Sequence, residues 1–366
     1  HYSEAGDERR TLKYLTLAGD GAQASYANAE ALDYYSRALE LAYDDAACYD
    51  LLSKMERIYD LLGSHEERAR VVAALEALAE ALDAAGGPAG RSRRAEAALR
   101  RAAYERLTGN NVAAFAAVRA AVRLAREAQD LRCAGDARRV WGDLLSSQGE
   151  YEAARQQFEQ AMTLARECGA RQVEAASNSG LGWVLWHQGI LYRTLDTSNH
   201  FEEALGLYRT CGDRQGEAGA LINLGVLCVG VGDLPQARVY YERARAIYRG
   251  IGNLPGEARP LANIAWVHWG GDDYARASAS LEQALAINRE VGQALGEASC
   301  LTSIGETVAA QGSYALGEAR CRQALRIFRE RRDRRGEACA LLALGLIRYQ
   351  QGDYARAGVL LEESWY

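Results

Sequence analysis

Proline, phenylalanine, methionine and lysine are all scarce in this chain of 366 residues, which has 4 Pro, 4 Phe and 2 Met. Lys13 and Lys54 are the only lysines, and neither follows a glycine. A phosphate-cradling Gly-x-x-x-x-Gly-Lys loop is therefore excluded, and with it nucleotide hydrolysis by that route. No run of about 18 apolar residues occurs, and no basic segment precedes an apolar stretch at the start, so nothing reads as a membrane span or secretion signal. The 8 cysteines show no Cys-x-x-Cys and no Cys/His pair at zinc spacing. They read as reduced, mostly buried small residues of a cytoplasmic protein. A formal net charge of -6 lacks the clustered positive excess by which a protein holds nucleic acid, and disfavours nucleic acid as main partner.

What the chain has in quantity is Ala, Leu and Arg, a helix-forming mixture, with 49% hydrophobic residues. That is enough for a large core and excludes wholesale disorder. Four copies of Gly-Glu-Ala begin at Gly216, Gly256, Gly296 and Gly336, 40 residues apart without slippage. In the same register stand Leu221, Leu261, Leu301 and Leu341, then Leu224, Ile264, Ile304 and Leu344, then Gly225, Ala265, Gly305 and Gly345. Offsets of three and four mark one face of a helix. A turn follows at Gly232-Asp233 and its equivalents, and then a second apolar series, Ala237, Tyr241, Ala244 and Ile247. Each unit is a helical hairpin. Gly142, Gly182 and the turn glycines Gly109, Gly149 and Gly189 carry the register back to about residue 91. The small residues let paired helices approach closely, as do Ala154, Ala237, Ala277 and Ala357 from the second helix.

Leu221, Leu224, Gly225, Cys228, Ala237, Tyr241 and Ala244 reproduce the spacing of the tetratricopeptide repeat, and the sequence resembles such an array over roughly 91–366. The resemblance implies an all-α, right-handed superhelical solenoid of antiparallel helix hairpins. Two departures are a 40-residue unit where the family usually has 34, and no proline at the end of the second helix. The longer unit resembles the subfamily of kinesin light chains and of the C-terminal sensor arrays of bacterial STAND ATPase regulators. HEAT-type repeats share the length but not the Gly and Ala register.

Residues 1–45 read as a helical linker or first irregular repeats, resembling the segment that joins the ATPase portion of STAND regulators to their repeats. Residues 46–90 read as an irregular hairpin whose second helix opens with a capping box, Ser64 and Glu67 satisfying each other's helix-end donors. It ends in Gly86-Gly87-Pro88-Ala89-Gly90, a candidate hinge. The array of six to seven units then fills 91–366 and stops inside a second helix without a polar capping helix, which suggests an excised region of a longer protein.

Catalytic signals are missing where they would be diagnostic. His65-Glu66-Glu67 begins like a zinc-protease motif, but Ala69 stands where the second histidine is needed. No Gly-x-Ser-x-Gly elbow occurs, the histidines form no ligand cluster, and no cofactor or metal is implied. Arginine runs at Arg91, Arg93, Arg94, Arg100 and Arg101, and at Arg329, Arg331, Arg332, Arg334 and Arg335, read as solvated edges, with a phosphate contact as the alternative.

The family's groove-facing positions fall on Ser179, Trp183, Trp186 and His187, then Ile222, Val226 and Val229, then Ala262, Trp266 and Trp269. Neighbouring units offer Asp136, Arg139 and Asp143 on one side and Thr302, Glu306, Leu346 and Tyr349 on the other. An exposed indole patch marks a partner surface, because leaving indole in water forfeits burial worth a few kcal/mol. The opposite reading, that tryptophans three residues apart are core, stands beside it, and Trp141 occupies a core position in the same register. The carboxylate clamp of chaperone-binding relatives is absent. Eleven residues separate Gly189 from Phe201, where the next unit has eight, so its second helix reads as shortened, with Asn199 as N-cap and Glu202 three residues on. That local irregularity reads either as shaping a pocket or as a tolerated surface insertion.

Two functions follow. In the first, the chain is the ligand-sensing part of a larger STAND-type ATPase, binding a peptide, protein or small ligand in its groove and acting on an upstream ATPase module. In the second, it is a constitutive scaffold gripping a segment of a partner protein.

Overall fold

The computed structural model describes residues 8–25, 27–62, 64–188, 194–331 and 333–364. Tyr26, Gly63, Gly189, Ile190 to Arg193, Arg332 and the chain's first seven and last two residues lie outside the described set. Among the described residues there are eighteen α-helices and no strands. The all-α reading holds, with helices paired as antiparallel hairpins.

The chain divides into two compact units, 1–223 and 224–366. The first holds α1 (Glu8–Ala24), α2 (Asn28–Glu40), α3 (Asp45–Leu62), α4 (His65–Ala84), α5 (Pro88–Leu107) and α6 (Asn111–Glu127). It continues through α7 (Leu131–Ser147), α8 (Tyr151–Cys168), α9 (Arg171–His187), α10 (Thr194–Thr210) and the first part of α11 (Arg214–Gly230). The second holds the rest of α11, α12 (Leu234–Gly250), α13 (Leu254–Gly270), α14 (Tyr274–Glu290), α15 (Ala294–Ala310), α16 (Tyr314–Glu330), α17 (Arg334–Gln350) and α18 (Tyr354–Glu363).

The 40-residue period resolves into two halves. From α11 to α17 every helix has 17 residues, and each connection to the next is three residues long. A helix of that length rises about 26 Å at 1.5 Å per residue. In the described connections the middle residue is left-handed: Gly232, Gly252, Gly292, Gly312 and Gly352 have φ between 64° and 86°, and Asp272 has φ 59°. Glycine adopts that conformation without steric penalty. The next residue caps the following helix, as Asp233 does by accepting from the Gln236 N–H at 3.1 Å and Asn253 by accepting from Gly256 at 2.8 Å.

The Gly-Glu-Ala motif is a clamp across these connections. Its glutamate takes an arginine from the last turn of the preceding helix: Arg209–Glu217 at 2.9 Å, Arg249–Glu257 at 2.6 Å, Arg289–Glu297 at 2.8 Å and Arg329–Glu337 at 2.7 Å. Its glycine leaves room for a side chain of that same turn, Tyr208, Tyr248, Asn288 and Phe328 in order. Its alanine enters the core at Ala218, Ala258 and Ala298, whereas Ala338 is half-buried. Within hairpins, a Cβ added to Gly142 would stand 2.7 Å from Cε1 of Phe158, so the ring occupies the space the glycine leaves.

Three local expectations are corrected. Ser64 precedes α4 but its side chain makes no capping bond, so the Ser64/Glu67 box does not form. Asn199 lies inside α10, which has 17 residues and is not shortened; Ser198 Oγ instead donates to Glu202 at 3.4 Å. At the candidate hinge, Gly86 and Gly87 form a tight turn at φ 91° and 113°, and a Cβ on Gly90 would collide with the Leu82 carbonyl, so α5 packs closely onto α4 there. Of the eight cysteines only Cys133, Cys300 and Cys321 are buried; Cys168, Cys211 and Cys339 are exposed.

Candidate functional site

In the second unit the first helices of successive hairpins, α11, α13, α15 and α17, carry one register of side chains outward. Val229, Trp266, Trp269, Leu346 and Tyr349 are all exposed, Trp266 by 49% and Trp269 by 38%. Trp269 packs edge-on against Trp266 at 5.7 Å between ring centroids and against Tyr274 at 6.1 Å. Val226 and Ala262 are half-buried beside them, Ala262 against the core of the unit.

Trp266 and Trp269 border a small pocket whose far wall is α15, with Ser303, Glu306 and Thr307, and whose floor is Ala265 and Leu281. Glu306 holds the register position of Trp266 one repeat later. It is half-buried and makes no ion pair among the described residues, and burial alone pushes its carboxyl above the ordinary carboxylate range. Two indoles and a carboxylate without an ion pair among the described residues thus line one pocket of about 10 Å³, room for about one water, and aromatic rings and carboxylates both attract cations. The sequence placed Glu306 in the groove register but assigned it no role; its equivalence with Trp266 was the available signal.

The remaining candidates belong to the first unit and, apart from the exposed His187, are more enclosed. Trp183 is half-buried, stacked on His187 at 5.8 Å and edge-on to Phe201 of α10 at 5.7 Å. His187 in turn stacks on Tyr151 of α8 at 5.6 Å. Trp186 and Ser179 are half-buried, and the Ser179 hydroxyl has no partner among the described residues. Ile222 departs from the groove reading: it is fully buried and serves as core.

The first unit also holds a charged cavity of about 330 Å³ that sequence reasoning only touched. Arg139, on its wall, donates to Asp136 at 2.8 Å and to Asp143 at 2.9 Å. Arg68 donates to Glu56 at 2.7 Å deep in the same region. Arg100 reaches Glu56 at 3.5 Å and Glu96 at 3.3 Å. The first arginine run is thus consumed by structure, Arg91 and Arg94 on Asp83, Arg93 on Asp50, and Arg101 on Glu76 and Glu105. Among the described residues no group of three or more acidic, His or Cys side chains could hold a metal ion, and no helix is long and apolar enough to cross a membrane.

Residues 216–290 match a tetratricopeptide repeat family model, and residues 142–167 match a second. The chain carries a tetratricopeptide repeat array. Residues 55–139 match a model described as anaphase-promoting complex subunit 5. No curated protein sequence matches the chain. Among solved structures, a Rap protein complexed with competence and sporulation factor superposes with TM-score 0.69 at 13% identity, covering 99% of this chain and 97% of that one. Aspartyl phosphate phosphatase F from Bacillus subtilis gives 0.61 at 12% identity over 98% of this chain and 93% of its own. A STAND protein with a tetratricopeptide repeat sensor, from Pyrococcus horikoshii, gives 0.57 at 14% identity. It covers 93% of this chain, which spans about half, 52%, of that protein. At these identities the likenesses show a shared fold, and the repeat array resembles a STAND sensor region.

Proposed function

We propose that the chain is a non-catalytic binding module whose second unit takes a peptide segment of a partner through a basic side chain. The observation that carries this is the exposed Trp266/Trp269 pair facing an uncompensated Glu306. The neighbouring exposed Val229, Leu346 and Tyr349 extend the surface along the repeat register, giving flanking residues of a segment an apolar track. A cation over indole contributes about 1–2 kcal/mol and a partly buried ion pair up to about 1 kcal/mol. Their sum is a preference of roughly ten- to a hundredfold for a basic side chain over an apolar one of the same length.

The larger setting we propose is the sensor part of a STAND-type signalling ATPase in a bacterial cytoplasm, with the upstream ATPase module responding to occupancy. The repeat resemblance to the Pyrococcus horikoshii protein supports that setting, and a Rap relative complexed with a factor shows the fold in a ligand-binding role. The groove set of the first unit, Ser179, Trp183, Trp186 and His187, is the second part of the proposed surface. A constitutive scaffold is the alternative; it predicts binding without any effect on a nucleotide-hydrolysing partner.

The test is a titration with capped peptides matched except for one central residue, lysine or norleucine, followed by calorimetry. Lysine peptides bind at least tenfold tighter, and Trp266→Ala and Trp269→Ala each remove most of that difference while the helical content stays unchanged. Equal binding of both peptides defeats the proposal, as does a tryptophan variant that unfolds the second unit.

A further inference from the structure

On the first unit, α6, α7 and α8 enclose an open pocket of about 720 Å³. Arg138 of α7 forms its inner wall and is only 7% exposed. Its Nη1 donates to the carboxamide oxygen of Gln157 at 2.9 Å and to that of Gln160, and it makes no ion pair among the described residues. Other buried arginine in this unit is handled differently: Arg68 has Glu56 and Asp60. A buried cation held only by neutral amides keeps most of its desolvation cost unless an anion reaches it.

A second arginine makes the shortage greater. Arg126, in the last turn of α6, lines the same pocket and makes no ion pair among the described residues. Burial, with the repulsion of Arg126 added, pushes the Arg138 guanidinium down from its ordinary range. One carboxylate borders the pocket, that of Asp130, and it is already committed: Oδ1 accepts from the Cys133 N–H at 2.9 Å and Oδ2 from the Ser92 hydroxyl.

The third observation is a backbone one. Gln129, also in the lining, has φ 56°, where the corresponding connections before and after hold Gly109, Gly149 and Gly169. A glutamine in left-handed conformation is strained where glycine is not, and such strain gathers at ligand sites. Gln129 thus brings a carboxamide-bearing residue to the rim of the pocket that Arg126 and Arg138 line.

We propose that this pocket is an oxyanion site, in which Arg138 and Arg126 grip a phosphate or carboxylate group and Gln129 and Thr163 add polar contacts. Guanidinium forks match both oxyanions by paired N–H donation. The site is independent of the basic-side-chain reading of the second unit, and both can hold at once.

The probes are inorganic phosphate and acetate, titrated separately by calorimetry into the 366-residue chain at fixed ionic strength. One saturable site is expected for at least one of them. Binding to phosphate alone identifies a phosphoryl group as the natural occupant, and binding to acetate alone a carboxylate. Arg126→Gln, on an exposed side chain that does not threaten folding, weakens that binding at least tenfold, and Arg138→Gln does the same. Gln129→Gly keeps or raises the melting temperature while weakening binding severalfold. Arg123→Gln, on the same helix but paired with Glu127, leaves binding unchanged. No saturable site for either anion overturns the proposal, and so does binding that Arg126→Gln leaves intact.

Discussion

Glu306 is the residue on which the proposed function turns, and its behaviour with pH can be worked out. Burial raises its carboxyl above the unfolded value, so between those two values the folded state holds the proton more tightly. Folding stability therefore falls as pH rises through that window, and at neutral pH the charged group is a cost that a cationic ligand removes. Glu306→Gln is expected to leave the melting temperature unchanged or to raise it by a few degrees at pH 7, and to abolish selectivity for lysine peptides. A structural role would show the reverse, a lower melting temperature with selectivity intact. The register of Trp183, Trp186, Trp266 and Trp269 was legible in the sequence; their exposure was not. Trp183 and Trp266 are equivalent, yet Phe201 of α10 reaches Trp183, whereas Leu281 at the corresponding place on α14 leaves Trp266 half in water. The partner helix decides exposure, and a repeat register does not carry that.

At the scale of the helix, the repeated Gly-Glu-Ala is explained by what it joins. Glu257 is nearly buried and accepts from Arg245 at 2.9 Å and Arg249 at 2.6 Å, tying α12 to α13. Burial pushes its carboxyl up, and the bonds from Arg249 and Arg245 more than reverse this, leaving it below the ordinary range. A depressed carboxyl contributes stability that is complete above its unfolded pKa of about 4.3 and is lost as pH falls through the lower folded value. Glu257→Ala should cost about 2 kcal/mol at pH 7 in denaturant unfolding, with the difference from the parent shrinking below about pH 4. Gly142→Ala should cost about 1–3 kcal/mol, because the added carbon meets the Phe158 ring. Hairpins, turns and small-residue contacts were legible because each repeats every 40 residues and so is seen several times. The capping box at Ser64 and the N-cap at Asn199 were single occurrences, where a local motif had no second copy to check it. At Asn199 the packing of a full α10 against α9, through Phe201 and Gly182, outweighs the local cap.

At the scale of the whole chain, each hairpin packs mainly on its sequence neighbours, and two compact units emerge without a linker of loop composition. Such arrays unfold as coupled segments instead of as one body. Calorimetric unfolding enthalpy should exceed the van't Hoff value, and Glu257→Ala should shift only part of the transition. A single two-state transition with equal enthalpies contradicts that picture. The direct test of the central claim joins the scales in one measurement: the affinity ratio of lysine to norleucine peptides for the parent chain and for Glu306→Gln. The account predicts a ratio of at least about ten for the parent and close to one for the variant. A ratio near one for the parent, or one that the variant leaves unchanged, contradicts it.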